Sequence, residues 1–274
     1  MQRIDSAGTA IACEIVGRGP AVLLTHGYAS SLHMFRANAA ALAEDHTIAT
    51  WDIRGHGASD APFDLAHYTI ELALQDMAAV LDSVGAERAI IGGHSLGGYL
   101  SLAFNVAHPD RVRALILIGT GPGYRSADAR DGWNSMALRL ASNFERDGFE
   151  GYTSGDEFDP DVHVNGPVGL ARAARGILSQ HDSTVIDSLP TIAAPTLIIV
   201  GEHDQPFVGG SRYMAAKIPD ATLIVIPGAR HTPNVTHPDE FEVAVRAFLE
   251  QLEADVEADV EADVEADVEA DRDA

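Results

Sequence analysis

Six short apolar runs, each ending in Gly, Ser, Asp or His and each followed by helical spacing, constrain the fold more than any other feature of this chain. They are AVLLTHG (21–27), TIATWDIRGHG (47–57), AIIGGHS (89–95), RALILIGTG (113–121), PTLIIVGEHD (195–204) and ATLIVIPGARH (221–231). Their cores lack apolar/polar alternation, as expected for strands buried on both faces, and helices between them imply parallel pairing. The expected architecture is α/β, a mostly parallel doubly wound sheet. In such sheets ligands bind beyond the carboxyl ends of the strands, so the residues that end each run are the candidates for chemistry.

The spacing of the runs is interrupted once. About 70 residues separate RALILIGT from PTLIIV, with Trp133, Met136, Phe144, Phe149, Tyr152 and Phe158 but no comparable strand. That is too long for a structureless loop and reads as an inserted helical cap. The expected organisation is a core over 1–121 and 190–250, a helical cap over 122–189 and an acidic tail over 251–274. The tail carries five copies of EAD, four followed by Val. A four-residue period drifts by about 40° per repeat on a helix, so its valines make no heptad seam, and acids four apart repel. It reads as a frayed acidic extension; the alternative is a solubilising tail or a weak docking site for a basic partner.

The tail contributes −10 to a net charge of −23, and the body that remains is acidic too. Nucleic acid and anionic membranes are therefore not expected partners, since both require clustered positive charge. Cys13 is the lone cysteine, so no internal disulfide can form. No run approaches the roughly 18 apolar residues of a membrane helix, and Asp5 and Gly8 interrupt the stretch where a signal peptide would be apolar. A cytoplasmic location is expected; the oligomeric state is left open.

The run AIIGGHSLGG places Ser95 in Gly93-His94-Ser95-Leu96-Gly97, between a strand and YLSLAFNVAHPD, whose apolar residues have helical spacing. A serine on such a turn takes an unfavourable backbone geometry, and glycines two positions either side remove Cβ atoms where strand and helix close together. A serine hydroxyl is a poor nucleophile near neutral pH. It needs a base to take its proton and an acid to orient that base. Asp204 ends TLIIVGEHD and His231 ends TLIVIPGARH, giving the order Ser, Asp, His. Glu202 directly follows the strand, where a side chain packs beside the sheet. Asp128 stands beyond GTGPG, and His237 sits in THPDEF, which reads as the first turn of the last helix. Asp204 and His231 are preferred to these three.

Attack on a carbonyl leaves an oxyanion that two backbone NH groups can stabilise. The NH of Leu96, at the start of the helix, and the NH of Tyr28, first after His26-Gly27, are the candidates. The substrate pocket is expected to draw on Tyr28, His94, Trp133 and Met136, although His94 also reads as a hydrogen-bonded structural group. No metal cluster or phosphate loop is present in the sequence, and GGHSLGG lacks the spacing of a dinucleotide turn. Neither metal nor cofactor is expected.

HGYASS, DIRGHGASD, GHSLGG, GEHD and PGARH, in this order, resemble the α/β-hydrolase superfamily over roughly residues 3 to 250. The resemblance implies Ser95, Asp204 and His231 as the triad and Tyr28 and Leu96 as oxyanion donors. It further implies that Asp52, Arg54 and Ser59 are mainly structural. Haloalkane dehalogenases and epoxide hydrolases of this fold carry an Asp nucleophile where this chain has Ser95, and an HGGG lipase loop is absent from the sequence. The expected function is a serine hydrolase acting on carboxylic esters of small to medium substrates through an acyl-enzyme. Six arginines in the cap suggest an alternative, an enol-lactone or carbon-carbon bond hydrolase for a carboxylate-bearing metabolite. A ligand-binding receptor with a slow, vestigial triad is the remote one.

Overall fold

In the computed structural model, which describes residues 1–152 and 158–254, the six runs become β3 (Ala21–Thr25), β4 (Thr47–Trp51), β5 (Ala89–His94), β6 (Val112–Ile118), β7 (Thr196–Gly201) and β8 (Ala221–Ile226). An N-terminal hairpin of β1 (Gln2–Ser6) and β2 (Thr9–Gly17) precedes them. Ala7 and Gly8 turn it with φ of 49° and 74°, the two positive values of a tight two-residue hairpin. The eight strands form one sheet in the order β1-β2-β4-β3-β5-β6-β7-β8. β1 and β2 pair antiparallel, β2 is antiparallel to β4, and every later pairing is parallel.

Strand residues alternate between two cores. Leu23, Ile91, Leu115 and Leu117 pack on one face with α2 (Ile70–Ser83), α3 (Leu96–Ala107) and α7 (Gln205–Ala215). Val22, Leu24, Ile90 and Ile116 pack on the other with α1 (Arg36–Leu42) and a helix over 238–254, through Ala39, Leu42, Phe241 and Val245. Both faces of the central strands are thus covered, so their sequence reads as unbroken apolar runs. Between β6 and β7 lie the helices α4 (Ala127–Asp147), α5 (Pro167–Arg175) and α6 (Thr184–Ser188), with no strand among the described residues. Residues 255–274, most of the acidic repeat, lie outside the described residues. Among those described, no helix is long and apolar enough to cross a membrane.

The residues of DIRGHGAS brace the sheet's carboxyl edge. Asp52 accepts from the Leu32 and Ala58 NH groups at 2.7 and 2.8 Å. Ser59 Oγ donates to the Asp52 carbonyl and accepts from the Ala12 NH. Arg54, fully buried, donates twice to Asp76 at 2.7 and 2.6 Å and once to the His67 carbonyl. Burying the guanidinium is tolerable because a carboxylate and a carbonyl both face it.

Candidate active site

Ser95 joins β5 to α3 with φ 51° and ψ −112°. A non-glycine residue there costs about 1–3 kcal/mol, which the surroundings must over-determine. The Ser95 NH donates to Ile118 O at 2.9 Å, and its carbonyl accepts from Thr120 Oγ1 at 2.6 Å and from the Tyr99 NH at 3.1 Å. Gly97 lets the first turn of α3 rest on the end of β3, since a Cβ there would run into the Thr25 carbonyl oxygen. The two features together fix the serine at the mouth of the parallel sheet.

Asp204 lies in the turn after β7 and is 3% exposed. Its Oδ2 is 2.9 Å from His231 Nδ1, in the turn between β8 and α8 (Pro233–Thr236). A carboxylate only accepts, so Nδ1 carries the hydrogen and Nε2 is left as the basic nitrogen. The His231 ring stacks on Phe207, with centroids 4.8 Å apart and planes at 16°. The Phe207 and Val208 NH groups both donate to the Asp204 carbonyl at 2.9 Å, so one turn of α7 carries both the acid and the stacking ring. The competitors are engaged elsewhere. Glu202 accepts from the Gly228 NH, His237 Nδ1 lies 3.0 Å from Thr236 Oγ1, and Asp128 is exposed in the first turn of α4.

Buried histidines support the His231 turn and the loop that follows β3. His94 Nε2 donates to the His231 carbonyl at 2.9 Å, and burial, followed by the charge of His231, holds its pKa well below the usual value. His26 Nδ1 donates to Gly27 O at 2.6 Å while its Nε2 accepts from the Ile53 NH at 3.0 Å; burial pushes it down to about 4. From the cap, His163 Nε2 donates to Ala29 O at 3.1 Å and Nδ1 accepts from the Gly57 NH at 2.9 Å, and burial pushes it too down to about 4. The loop bearing the Tyr28 NH is therefore held on one side by the core and on the other by the cap. Leu96 is the first residue of α3, where an NH has no carbonyl one turn earlier to receive it.

A cavity of about 150 Å³ opens on the serine. Ser95 and Leu96 form part of its floor, Trp133, Leu178 and Gln180 come from the cap, and Phe207 from α7. Of the four expected pocket residues, Trp133 alone lines this cavity; its Nε1 donates to Leu178 O at 2.7 Å. His94 is fully buried beneath the His231 turn. Tyr28 is drawn the other way, its hydroxyl donating to Leu170 O at 3.0 Å and its ring packed edge-on against His56 and Phe144. Met136, half-buried on α4, is not part of this wall, which ends at the turn carrying Trp133. Phe207, Gln180 and His163 were not anticipated from the sequence. Phe207, three residues after Asp204 in a proline-initiated helix, carried a usable signal; a single histidine in the cap did not.

None of the six cap arginines lines the cavity. Arg125 pairs with Asp187, Arg146 with Asp147 and Arg175 with Glu145. Arg130 donates to the Tyr124 and Arg125 carbonyls, Arg172 to those of Ala61 and Pro62, and Arg139 is exposed. Among the described residues, no group of three or more His, Cys, Asp or Glu side chains could hold a metal.

Comparison with known proteins agrees with the fold. A family model described as alpha/beta hydrolase fold matches residues 20–162. A putative 2-succinyl-6-hydroxy-2,4-cyclohexadiene-1-carboxylate synthase of Bacillus subtilis is 27% identical, over 90% of this chain and 97% of its own length. A pimeloyl-[acyl-carrier protein] methyl ester esterase of Chromobacterium violaceum is 30% identical, over 88% of this chain and 97% of its own. The solved structure of a thermophilic esterase from Thermogutta terrifontis superposes with a TM-score of 0.79 at 28% identity, covering 92% of this chain and 99% of that one.

Proposed function

Since the chain belongs to the α/β-hydrolase fold family, whose members similar to it include an esterase and a putative synthase, we propose that it is a serine hydrolase cleaving carboxylic esters of small to medium, uncharged substrates. In this reading His231 Nε2 takes the proton from Ser95 Oγ as the oxygen attacks the ester carbonyl. Asp204 accepts the Nδ1 hydrogen bond and stabilises the imidazolium that forms. The NH groups of Tyr28 and Leu96 receive the oxyanion, each donor contributing about 10²- to 10³-fold in rate. The protonated His231 returns its proton to the leaving alcohol, and the acyl group stays on Ser95. A water deprotonated by the same imidazole then releases the acid.

The observation that carries the choice of ester is the uncharged wall around Ser95. An enol-lactone or carbon-carbon bond hydrolase for a carboxylate-bearing metabolite would gain from a cation there, and the cap arginines are engaged or exposed elsewhere. Labelling by a fluorophosphonate and turnover of p-nitrophenyl esters, beside Ser95→Ala, test the reading. The wild type is expected to label and turn over, and the variant to lose at least about 10⁴-fold in kcat. No labelling of the wild type, as a receptor with a vestigial triad would give, or full activity in Ser95→Ala, overturns it.

A further inference from the structure

A second, larger cavity of about 460 Å³ lies between α2, α3 and the cap, with Leu74, Ala103 and Val185 in its wall. Among the described residues, Tyr99 alone lines both it and the cavity opening on Ser95. Tyr99 is on α3, one turn beyond the serine, and its backbone NH donates to the Ser95 carbonyl. Resting on Ser95 as a nucleophile, we propose that Tyr99 is a specificity-determining residue: its ring closes the small cavity off from the larger one and caps the length of the substrate group seated beside Ser95.

Three observations support a fixed partition. Tyr99 is only 9% exposed, so its ring is packed into the wall. Gly123, with φ +82°, brings bare backbone against it: a Cβ there would lie 3.1 Å from Tyr99 Cε2 and 2.9 Å from Gln180 Oε1. Burial, and secondarily the Asp182 carboxylate, pushes the phenol up to about 12, so it stays a neutral wall across the working pH range. The volumes set the consequence. A space of about 150 Å³ is of the size that holds a benzene ring, which corresponds to a short acyl chain or a small aryl group. Joined to the larger cavity, whose wall carries Ile70, Leu74 and Val106 beside the polar Glu71, His181 and Asp182, it would admit a chain of ten carbons or so along those aliphatic side chains.

The chain-length profile tests this. On p-nitrophenyl esters from acetate to dodecanoate, the wild type should peak at butyrate to hexanoate and decline beyond. In Tyr99→Ala the decanoate-to-butyrate ratio of kcat/KM should rise at least about tenfold, since each added methylene that finds apolar surface contributes up to about fourfold. Tyr99→Leu should move it in the same direction by less, and decides the matter if the alanine variant fails to fold. Tyr99→Phe should keep the wild-type ratio. An unchanged ratio in a folded Tyr99→Ala or Tyr99→Leu overturns the proposal, as does a wild type that already prefers decanoate.

A binding readout separates this outcome from failure of the hydrolase reading. Trp133 lines the small cavity, whereas the other tryptophan, Trp51, is fully buried in the core. 1-Hexanol should shift Trp133 emission in the wild type and in Tyr99→Ala, and 1-decanol in the variant alone. Should the wild type neither label nor turn over, the reading of Ser95 falls and the alkanols alone decide the partition. Equal response of both proteins to 1-decanol overturns it.

Discussion

At the floor of the site, Ser95, Asp204 and His231 sit in turns that close strands β5, β7 and β8, and each turn is held through its own backbone groups. The Ser95 NH and carbonyl are both bonded, the Asp204 carbonyl receives two amides of α7, and the His231 carbonyl receives His94. In the cap above, position depends on side chains. Trp133 reaches the Leu178 carbonyl, Asn134 holds the Gln180 backbone through both amide atoms, and aromatic rings of Phe144, Phe149 and Phe158 pack on one another. Close backbone approach at strand ends, as at Gly97, tolerates little substitution, whereas side-chain packing can be redrawn with conserved volume. The floor is thus suited to fix a reaction and the cap to choose what enters it.

The sharpest test of the floor is Asp204→Asn, which keeps the shape but presents a donor or a weaker acceptor to His231 Nδ1. The expectation is a fall in kcat of about 10³- to 10⁴-fold with little change in thermal midpoint. A loss under tenfold would move the orienting acid elsewhere, with Glu202 next to examine.

Glycine substitution contrasts the floor with the cavity wall that α7 supplies. Gly97→Ala places a methyl on the Thr25 carbonyl, a backbone atom that cannot step aside, and should cost more than about 3 kcal/mol in denaturant unfolding. Gly210 is inside α7 on the cavity wall, where a Cβ would meet Gly121 Cα at an ordinary 3.4 Å. Gly210→Ala should be neutral or stabilising by about 0.5–1 kcal/mol while narrowing the cavity. Equal effects at the two positions would dissolve the distinction between floor and wall.

The same distinction explains what could be read from the chain. The six parallel strands were legible as unbroken apolar runs, the central ones because both their faces are buried; β8, at the sheet edge, keeps an apolar run although it is only partly buried. Ser95, Asp204 and His231 could be named because each ends such a run and the chemistry needs all three. The β1–β2 hairpin was less visible, since β1 is a mostly exposed edge strand and QRIDS lacks an apolar run. In the cap, Trp133 and Met136 share a helix at helical spacing, yet Trp133 alone lines the cavity. That depends on how α4 sits over the core, a tertiary fact without a local signal. The cap arginines differ in a related way: their number is visible in sequence, but the engagement of five of them with carboxylates and carbonyls is not.

His163 crosses the boundary between cap and floor, and its titration gives a middle-sized effect. Its folded pKa, about 4, lies below the ordinary 6.5, so between those values the unfolded chain binds the proton first. Stability from this group is complete above about pH 6.5 and is lost progressively as pH falls towards 4. His163→Gln can retain a donor to Ala29 O and an acceptor for the Gly57 NH without titrating. Its thermal midpoint should fall less than that of the wild type between pH 6.5 and 4, the subtraction removing the parallel contributions of His26 and His94. Superposable pH profiles would mean that His163 is not the neutral link described.

The smallest effect belongs to the cap surface. Arg175 and Glu145 join α5 to α4 across 2.6 Å, with 29% and 44% of their side chains exposed. A pair this accessible is screened by water and salt, so Arg175→Ala should cost no more than about 1 kcal/mol, less at high ionic strength. Because Arg175 does not line the cavity, KM for neutral esters should be unchanged. The same variant bears on the carboxylate alternative. If Arg175→Ala raised KM for a carboxylate-bearing ester by tenfold while leaving its neutral counterpart untouched, the cap would be selecting by charge, and the uncharged wall beside Ser95 would no longer describe the substrate.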